Sequence, residues 1–207
     1  MKKKLILFDW GGIVESHTTG YSCPMAWNDL FRKCGYSGKD NIFSQLSKYN
    51  LSCIKTSDEF EKTYNQMAIE FNFNVPYSEF TKIYKEIFAK IDYYQNVSDY
   101  EKSLKDKCYI GILSNLTIFD KERLDKQVNL KKYDYVFLSF ELGLKKPHIE
   151  IYEEVQKRLN IAKEDILFID DRSDNIEAAK LFGWNTLKAT GLELELIKNT
   201  CKSFLQD

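Results

Sequence analysis

The stretch Lys4-Leu5-Ile6-Leu7-Phe8-Asp9-Trp10-Gly11-Gly12 is a short apolar run that stops abruptly at an acid and passes into two glycines. A run of this length without helical spacing reads as a buried strand, and the glycines after it as a tight loop. Runs of the same type recur at 108–114 (CYIGILS), 135–139 (YVFLS) and 166–170 (ILFID), with a weaker fifth at 185–189. Between them, 118–130, 148–160, 174–182 and 192–205 carry apolar residues at helical spacing. Strands alternating with helices are joined by crossovers, which predicts an α/β fold with a largely parallel sheet covered on both faces. In such sheets ligands bind beyond the carboxyl ends of the strands.

Residues 16–95 break the alternation. They read as helices near 24–34, 40–49, 57–71 and 77–91, rich in aromatics and without a convincing buried strand. This predicts a helical domain at 16–95 inserted after the first strand of a core made of 1–15 and 96–207, with any hinge in the joins near 15–20 and 92–97. Most aromatics of the insert, from Trp27 to Phe88, are expected to form its own core, and a minority to face the rim of the sheet.

A chain of 207 residues suits one core with a smaller insert. Its 43% hydrophobic and 29% charged content is globular rather than disordered. The net charge of −1 creates no field favouring nucleic acid or an anionic membrane, which leaves a small molecule as the expected partner. The apolar run behind Met1-Lys2-Lys3-Lys4 ends at Asp9, so no export signal is expected, and no run approaches the roughly 18 residues that span a bilayer. A cytoplasmic location is the corresponding expectation. The cysteines at 23, 34, 53, 108 and 201 are scattered and lack ligand spacing, which reads as reduced thiols.

Polar groups follow four of the apolar runs: Asp9; Ser114 and Asn115; Lys145, Lys146 and Pro147; Asp170 and Asp171 with Asn175. Singly, each is ordinary cap, turn or surface chemistry. A parallel sheet, however, brings all of them to one rim. Three carboxylates gathered there repel one another unless a cation sits among them, and a hard divalent ion such as Mg2+ meets that demand. With a lysine and a hydroxyl beside it, such a set suits a phosphoryl group, and one carboxylate is left to attack it.

The order and spacing of these groups resemble the four motifs of the haloacid dehalogenase superfamily. The matching segments are Phe8 to Val14 (FDWGGIV), Leu113-Ser114-Asn115, Gly143 to Pro147 (GLKKP) and Phe168 to Asn175 (FIDDRSDN). Between Leu138 and Ala179 the likeness is greatest to the branch that includes bacterial glucose-1-phosphate phosphatase and the amino-terminal domain of soluble epoxide hydrolase. The resemblance implies a Rossmann-like core with a helical cap after the first strand, Mg2+ as cofactor, and hydrolysis or transfer of a phosphoryl group from a small phosphorylated metabolite such as a sugar phosphate. By position, Asp9 resembles the nucleophile that becomes an aspartyl phosphate. Asp9, Asp171 and the carbonyl of Gly11 resemble the metal ligands, with Asp170 as an alternative ligand. Ser114, Asn115 and Lys146 resemble the phosphate-binding groups, Lys146 also steadying the nucleophile, and Asn175 resembles the group that orients the metal ligands.

One position departs from the pattern. Most phosphatases of this superfamily carry a second aspartate two residues after the nucleophile, as general acid and then general base, and here that residue is Gly11. Such assistance is commonly worth about 10²- to 10⁴-fold. Either the leaving group needs little protonation, or another residue such as Glu15 or His17 serves it, or turnover is slow or absent. Two rival functions follow: a metal-independent 2-haloacid dehalogenase, and a binding module that keeps the fold without the chemistry. Retention of both Asp170 and Asp171 favours phosphate.

Overall fold

The computed structural model of the protein describes residues 4–38, 41–128 and 130–206. Its parallel sheet contains β1 (Leu5–Phe8), β2 (Tyr109–Ser114), β3 (Tyr135–Leu138), β4 (Ile166–Asp170) and β5 (Asn185–Lys188), in the order β3-β2-β1-β4-β5. β1 is central, with Phe8 opposite Ile112 of β2 on one side and Ile169 of β4 on the other. All four residues of β1 are buried, so its sequence is continuously apolar rather than alternating. The predicted parallel α/β architecture is the one observed.

Helices α1 (Cys23–Lys33), α2 (Ile42–Gln45), α3 (Ser57–Phe71) and α4 (Tyr77–Phe88) lie between β1 and β2 in the chain. They enclose an apolar cluster of their own, in which Phe31 meets Phe71 at 5.0 Å and Phe73 at 4.8 Å, both edge to face. Such pairs add about 0.5–1.5 kcal/mol to the burial of the rings. The helix expected over 40–49 is shorter in the structure. α2 gives way to a 3₁₀ turn at Leu46–Tyr49, and Asn50 ends it in the left-handed region at φ 50°, a conformation asparagine tolerates. Residues 39 and 40 of that expected helix lie outside the described residues.

The join at 92–97 leads directly into a helix the periodicity did not reveal, α5 (Gln95–Leu104). Its inner face carries Val97 and Leu104 but also Glu101, fully buried and held by Lys132 at 2.9 Å and the Tyr133 hydroxyl at 2.7 Å. A charge in the middle of the apolar stripe hid the pattern. Downstream lie α6 (Asp120–Val128), α7 (Ser139–Leu142), α8 (Ile149–Arg158), α9 (Ser173–Phe182) and α10 (Leu194–Gln206).

Side chains alternate across the pleat of the sheet. Ile6, Phe8, Ile112 and Ile169 therefore join a cluster completed by α5 and α10, whereas Leu5, Leu7, Leu113 and Phe168 join one completed by α8 and α9. Full burial of each such chain is worth about 1.5–3 kcal/mol, so both faces hold β1 in place. From β1 the strands build outward through β2 to β3. The chain then returns to the other side of β1 for β4 and β5, and the strand order reverses between β1 and β4. No helix among the described residues is long and apolar enough to cross a membrane.

Candidate active site

Asp9 leaves the end of β1 at that reversal, its N–H donating to the Ile169 carbonyl at 2.8 Å. The following loop is tied down: Val14 and Glu15 donate to the Trp10 carbonyl, Gly12 donates to the Glu15 carbonyl, and Gly191 donates to the Gly12 carbonyl. Asp9 is only 6% exposed. Its Oδ1 accepts from the Trp10 N–H at 2.6 Å and the Ser114 hydroxyl at 2.7 Å, and its Oδ2 lies 3.0 Å from Lys146 Nζ.

Lys146 reaches the same point from the segment after α7. Its fully buried ammonium donates to Asp170 Oδ2 at 2.6 Å and to the Leu113 carbonyl at 2.9 Å, besides its contact with Asp9. All three N–H donors thus have acceptors. Asn115 fixes the backbone here: its Oδ1 accepts from the Lys146 N–H at 3.0 Å and its Nδ2 donates to the Lys146 carbonyl at 2.9 Å. The clamp fixes the Asn115 side chain and uses one of its two Nδ2 hydrogens, leaving the other for a ligand.

The two acids after β4 differ sharply. Asp170 is fully buried and accepts from Lys146, from the Arg172 N–H at 2.8 Å, and from Asn175 Nδ2 at 3.0 and 2.9 Å. Asp171 has a buried Oδ1 without a protein partner, and its Oδ2 lies 3.4 Å from His17 Nδ1. Asp9, Asp170 and Asp171 each present an oxygen within 4.8 Å of the others. Three carboxylates facing one ammonium leave the centre two charges short of neutral, which together with the orphaned Asp171 oxygen fits a hard divalent cation.

The electrostatics follow from that crowding. Burial, with the carboxylates of Asp170 and Asp171, pushes Asp9 up to about 7 from an ordinary 3.8, against the opposing pull of Lys146 and Ser114. For Lys146, burial acts to lower the pKa, but Asp170 and Asp9 outweigh it and hold the ammonium above its usual value. At His17 burial likewise acts downward, and Asp171 raises the imidazole beyond it.

Every residue singled out from the sequence therefore meets at one rim, including Gly11, whose missing side chain has a counterpart. A Cβ built there would lie 2.6 Å from both Cε1 and Nε2 of His17, so the imidazole fills the space a side chain at position 11 would take. Glu15, the other residue considered for that gap, is engaged elsewhere. Its Oε2 accepts from Trp10 Nε1 at 3.1 Å and pairs with Arg123. Sequence reasoning missed Arg123, Asp120 and Tyr84. Arg123 also binds Asp120 at 2.9 Å, and the Tyr84 hydroxyl from α4 donates to Asp120 at 3.1 Å. Asp120 opens α6, while Arg123 and Tyr84 lie within helices, and with no motif to mark them only the tertiary structure joins them. A cavity of about 350 Å³ opens between the rim and the helical insert, and Trp27, Phe43, Tyr84 and Phe88 are the insert aromatics that line it.

The profile of the family described as haloacid dehalogenase-like hydrolase matches residues 13–189, most of the chain. The protein belongs to the haloacid dehalogenase-like hydrolases. The hydrolase is 26% identical to a D-ribitol-5-phosphate phosphatase of Bacteroides thetaiotaomicron, across 89% of this chain and 91% of the relative. It is 22% identical to a sesquiterpene phosphatase of Aspergillus oryzae, across 98% and 95% of the two chains. Its fold matches a haloacid dehalogenase family enzyme of Bacteroides thetaiotaomicron, solved in complex with magnesium and inorganic phosphate, with a TM-score of 0.69 at 19% identity over 92% of this chain and 96% of the other.

Proposed function

We propose that this hydrolase is a Mg2+-dependent phosphatase that moves a phosphoryl group from a small phosphate monoester to Asp9 and then to water. One observation carries the reading: Asp9 is held between the Ser114 hydroxyl and the Lys146 ammonium while two further carboxylates come within metal-ligand range of it. The phosphatase relatives of similar length support it.

In this reading Asp9, Asp171 and the Gly11 carbonyl hold the cation. Asp170, whose oxygens already accept from Lys146, Asn175 and Arg172, anchors the lysine instead of serving as the alternative ligand. When bound, Mg2+ offsets charge on the phosphoryl oxygens and the carboxylates. The Asp9 carboxylate attacks phosphorus, the bond from phosphorus to the leaving oxygen breaks, and that oxygen departs with the electron pair. Lys146, the Ser114 hydroxyl and the backbone at Asn115 steady the phosphoryl oxygens. Water then attacks the phosphorus of the aspartyl phosphate, releasing inorganic phosphate and restoring Asp9. Gly11 supplies no acid, and the space its side chain would take is filled by His17, which makes the imidazole the group to test for service to the leaving oxygen. We assign residues 16–95 the part of a cap that closes over the site and excludes water.

The test is phosphate release with and without Mg2+, alongside Asp9→Asn and trapping of a phosphorylated enzyme. Activity that survives Asp9→Asn sinks the nucleophile. Halide release from 2-haloacids without metal moves the protein to the dehalogenase reading.

A further inference from the structure

We infer that the alcohol released from the substrate is uncharged and mainly apolar, an inference that rests on the phosphatase reading above. The cavity runs from Asp9 and Lys146 to a wall built by Trp27, Phe43, Leu46, Leu51, Phe88 and Leu116. All of these are buried except Phe43, which is half-buried. Trp27 and Phe88 pack edge to face at 5.2 Å, and Phe88 stacks on Tyr84 at 3.9 Å, so the wall is preformed. At about 350 Å³ the space is at the small end for ligand pockets and fits a single compact organic group beyond the phosphate.

Most polar groups of the inner end are spent on one another, with the buried Arg123 Nε left without a partner among the described residues. Arg123 pairs with Glu15 and Asp120, the Tyr84 hydroxyl donates to Asp120, and Thr117 bonds Asp120 through both its N–H at 2.8 Å and its hydroxyl at 3.0 Å. A substrate hydroxyl reaching this depth finds mainly apolar carbon and polar groups already bonded, Arg123 Nε being an open donor of the cluster. Two carboxylates against one guanidinium also leave this inner cluster with one net negative charge, which repels a second anionic group that reaches it, the cations Lys145 and Arg172 lining other parts of the cavity. The lining residues Ser47, Asn50 and His148 are exposed and belong to the outer mouth, where Asn50 already accepts from Lys145. The arrangement rewards methylene and aromatic carbon at depth and penalises polyols and diacids.

The experiment measures kcat/KM with Mg2+ for ethyl, butyl and hexyl phosphate, whose alcohols differ little in acidity, together with ribitol phosphate, phosphoglycolate and acetyl phosphate. The expected result is a rise of about three- to fourfold per added methylene until the cavity is full. Ribitol phosphate should fall at least about tenfold below hexyl phosphate, because buried hydroxyls lack partners. Phosphoglycolate should be poorer still. Leu51→Asn should flatten the chain-length slope. A flat or falling series, or ribitol phosphate turned over as well as hexyl phosphate, overturns the inference. Should acetyl phosphate be hydrolysed in that case, the phosphatase reading survives. If no compound, acetyl phosphate included, is hydrolysed, both readings fall together.

Discussion

Adding one methyl group at position 11 should cost this enzyme much of its activity, although the backbone there tolerates alanine. Gly11 is not among the glycines with left-handed φ, so any penalty comes from packing. The new Cβ would stand 2.6 Å from Cε1 and Nε2 of His17, whereas non-bonded carbons rest about 3.5–4.0 Å apart. The ring must therefore retreat by about 1 Å. It is hemmed in by Phe43, edge to face at 6.3 Å, and by Asp171 at 3.4 Å, so the retreat disturbs the carboxylate we assign to the cation. Overpacking of this kind costs about 1–3 kcal/mol. A displacement of about 1 Å at reacting groups costs on the order of 10²-fold in rate. We expect kcat/KM of Gly11→Ala to fall about 10- to 100-fold. His17→Ala removes the obstruction, so Gly11→Ala added to it should cost far less, giving a coupling of about 0.5–3 kcal/mol. Phosphate release by the four proteins of this cycle at saturating Mg2+ measures it. Wild-type activity in Gly11→Ala, or effects that simply add, would refute the steric reasoning. Repeating His17→Ala across leaving groups of graded acidity separates two roles for the ring: a uniform loss means packing alone, and a loss that grows with poorer leaving groups means His17 serves the departing oxygen.

Lys146→Met should abolish phosphate release and lower the unfolding free energy by about 3–5 kcal/mol in urea, since Asp9 and Asp170 would stay buried without their counter-charge; a loss of activity with unchanged stability would contradict this. Asp171→Asn should weaken Mg2+ binding by calorimetry at least about tenfold while costing metal-free stability less than Asp170→Asn, because its Oδ1 has no protein partner and only the Oδ2 contact with His17 is altered. Asp170→Asn should instead destabilise the metal-free protein by about 1.5–3 kcal/mol, through bonds to charged and amide donors. Glu101 supplies a pH test away from the site. Burial raises its pKa above the ordinary 4.5 despite Lys132 and Tyr133, so its contribution to stability is fully present below about 4.5 and lost as pH rises through the raised value. Relative to Glu101→Gln, the wild type should lose stability as pH rises above about 4.5 in urea titrations, and a difference that is flat or of opposite slope counts against it.

The sheet was legible because its strands are buried on both faces: in β1 nothing polar interrupts Leu5 to Phe8, and the acid that stops the run marks the rim. Convergence of Asp9, Ser114, Lys146 and Asp170 followed from parallel strands alone. What stayed hidden has physical causes. α5 was masked by Glu101, a charge tolerated inside only because Lys132 and Tyr133 reach it from after α6. The Glu15, Arg123 and Asp120 cluster joins residues 108 positions apart in its Arg123 to Glu15 pair, with no local signature. The clamp by which Asn115 bonds both the N–H and the carbonyl of Lys146 was equally invisible, because it joins residues 31 positions apart. Sequence could name His17 only as one neighbour of the gap beside Glu15, because its fit depends on what Gly11 lacks, a relation of shape rather than of spacing.

The division of labour between Asp170 and Asp171 shows how far geometry goes beyond adjacency. Asp170 is the last residue of β4, two positions after Phe168, so the pleat turns both side chains to one face. Lys146 lies over that face, 5.1 Å from the Phe168 ring, and meets Asp170 there. Asp171 has left the strand and turns toward the loop after β1. Gly12 takes φ 78° at this point, and a Cβ on it would run into the Asp171 carboxyl, so only glycine lets the loop come this close. That approach sets an incompletely bonded carboxylate against the segment carrying Asp9 and the Gly11 carbonyl. One acid is thus saturated by Lys146, Arg172 and Asn175, and the other keeps an oxygen open, which is why we propose the first as an anchor and the second as a ligand.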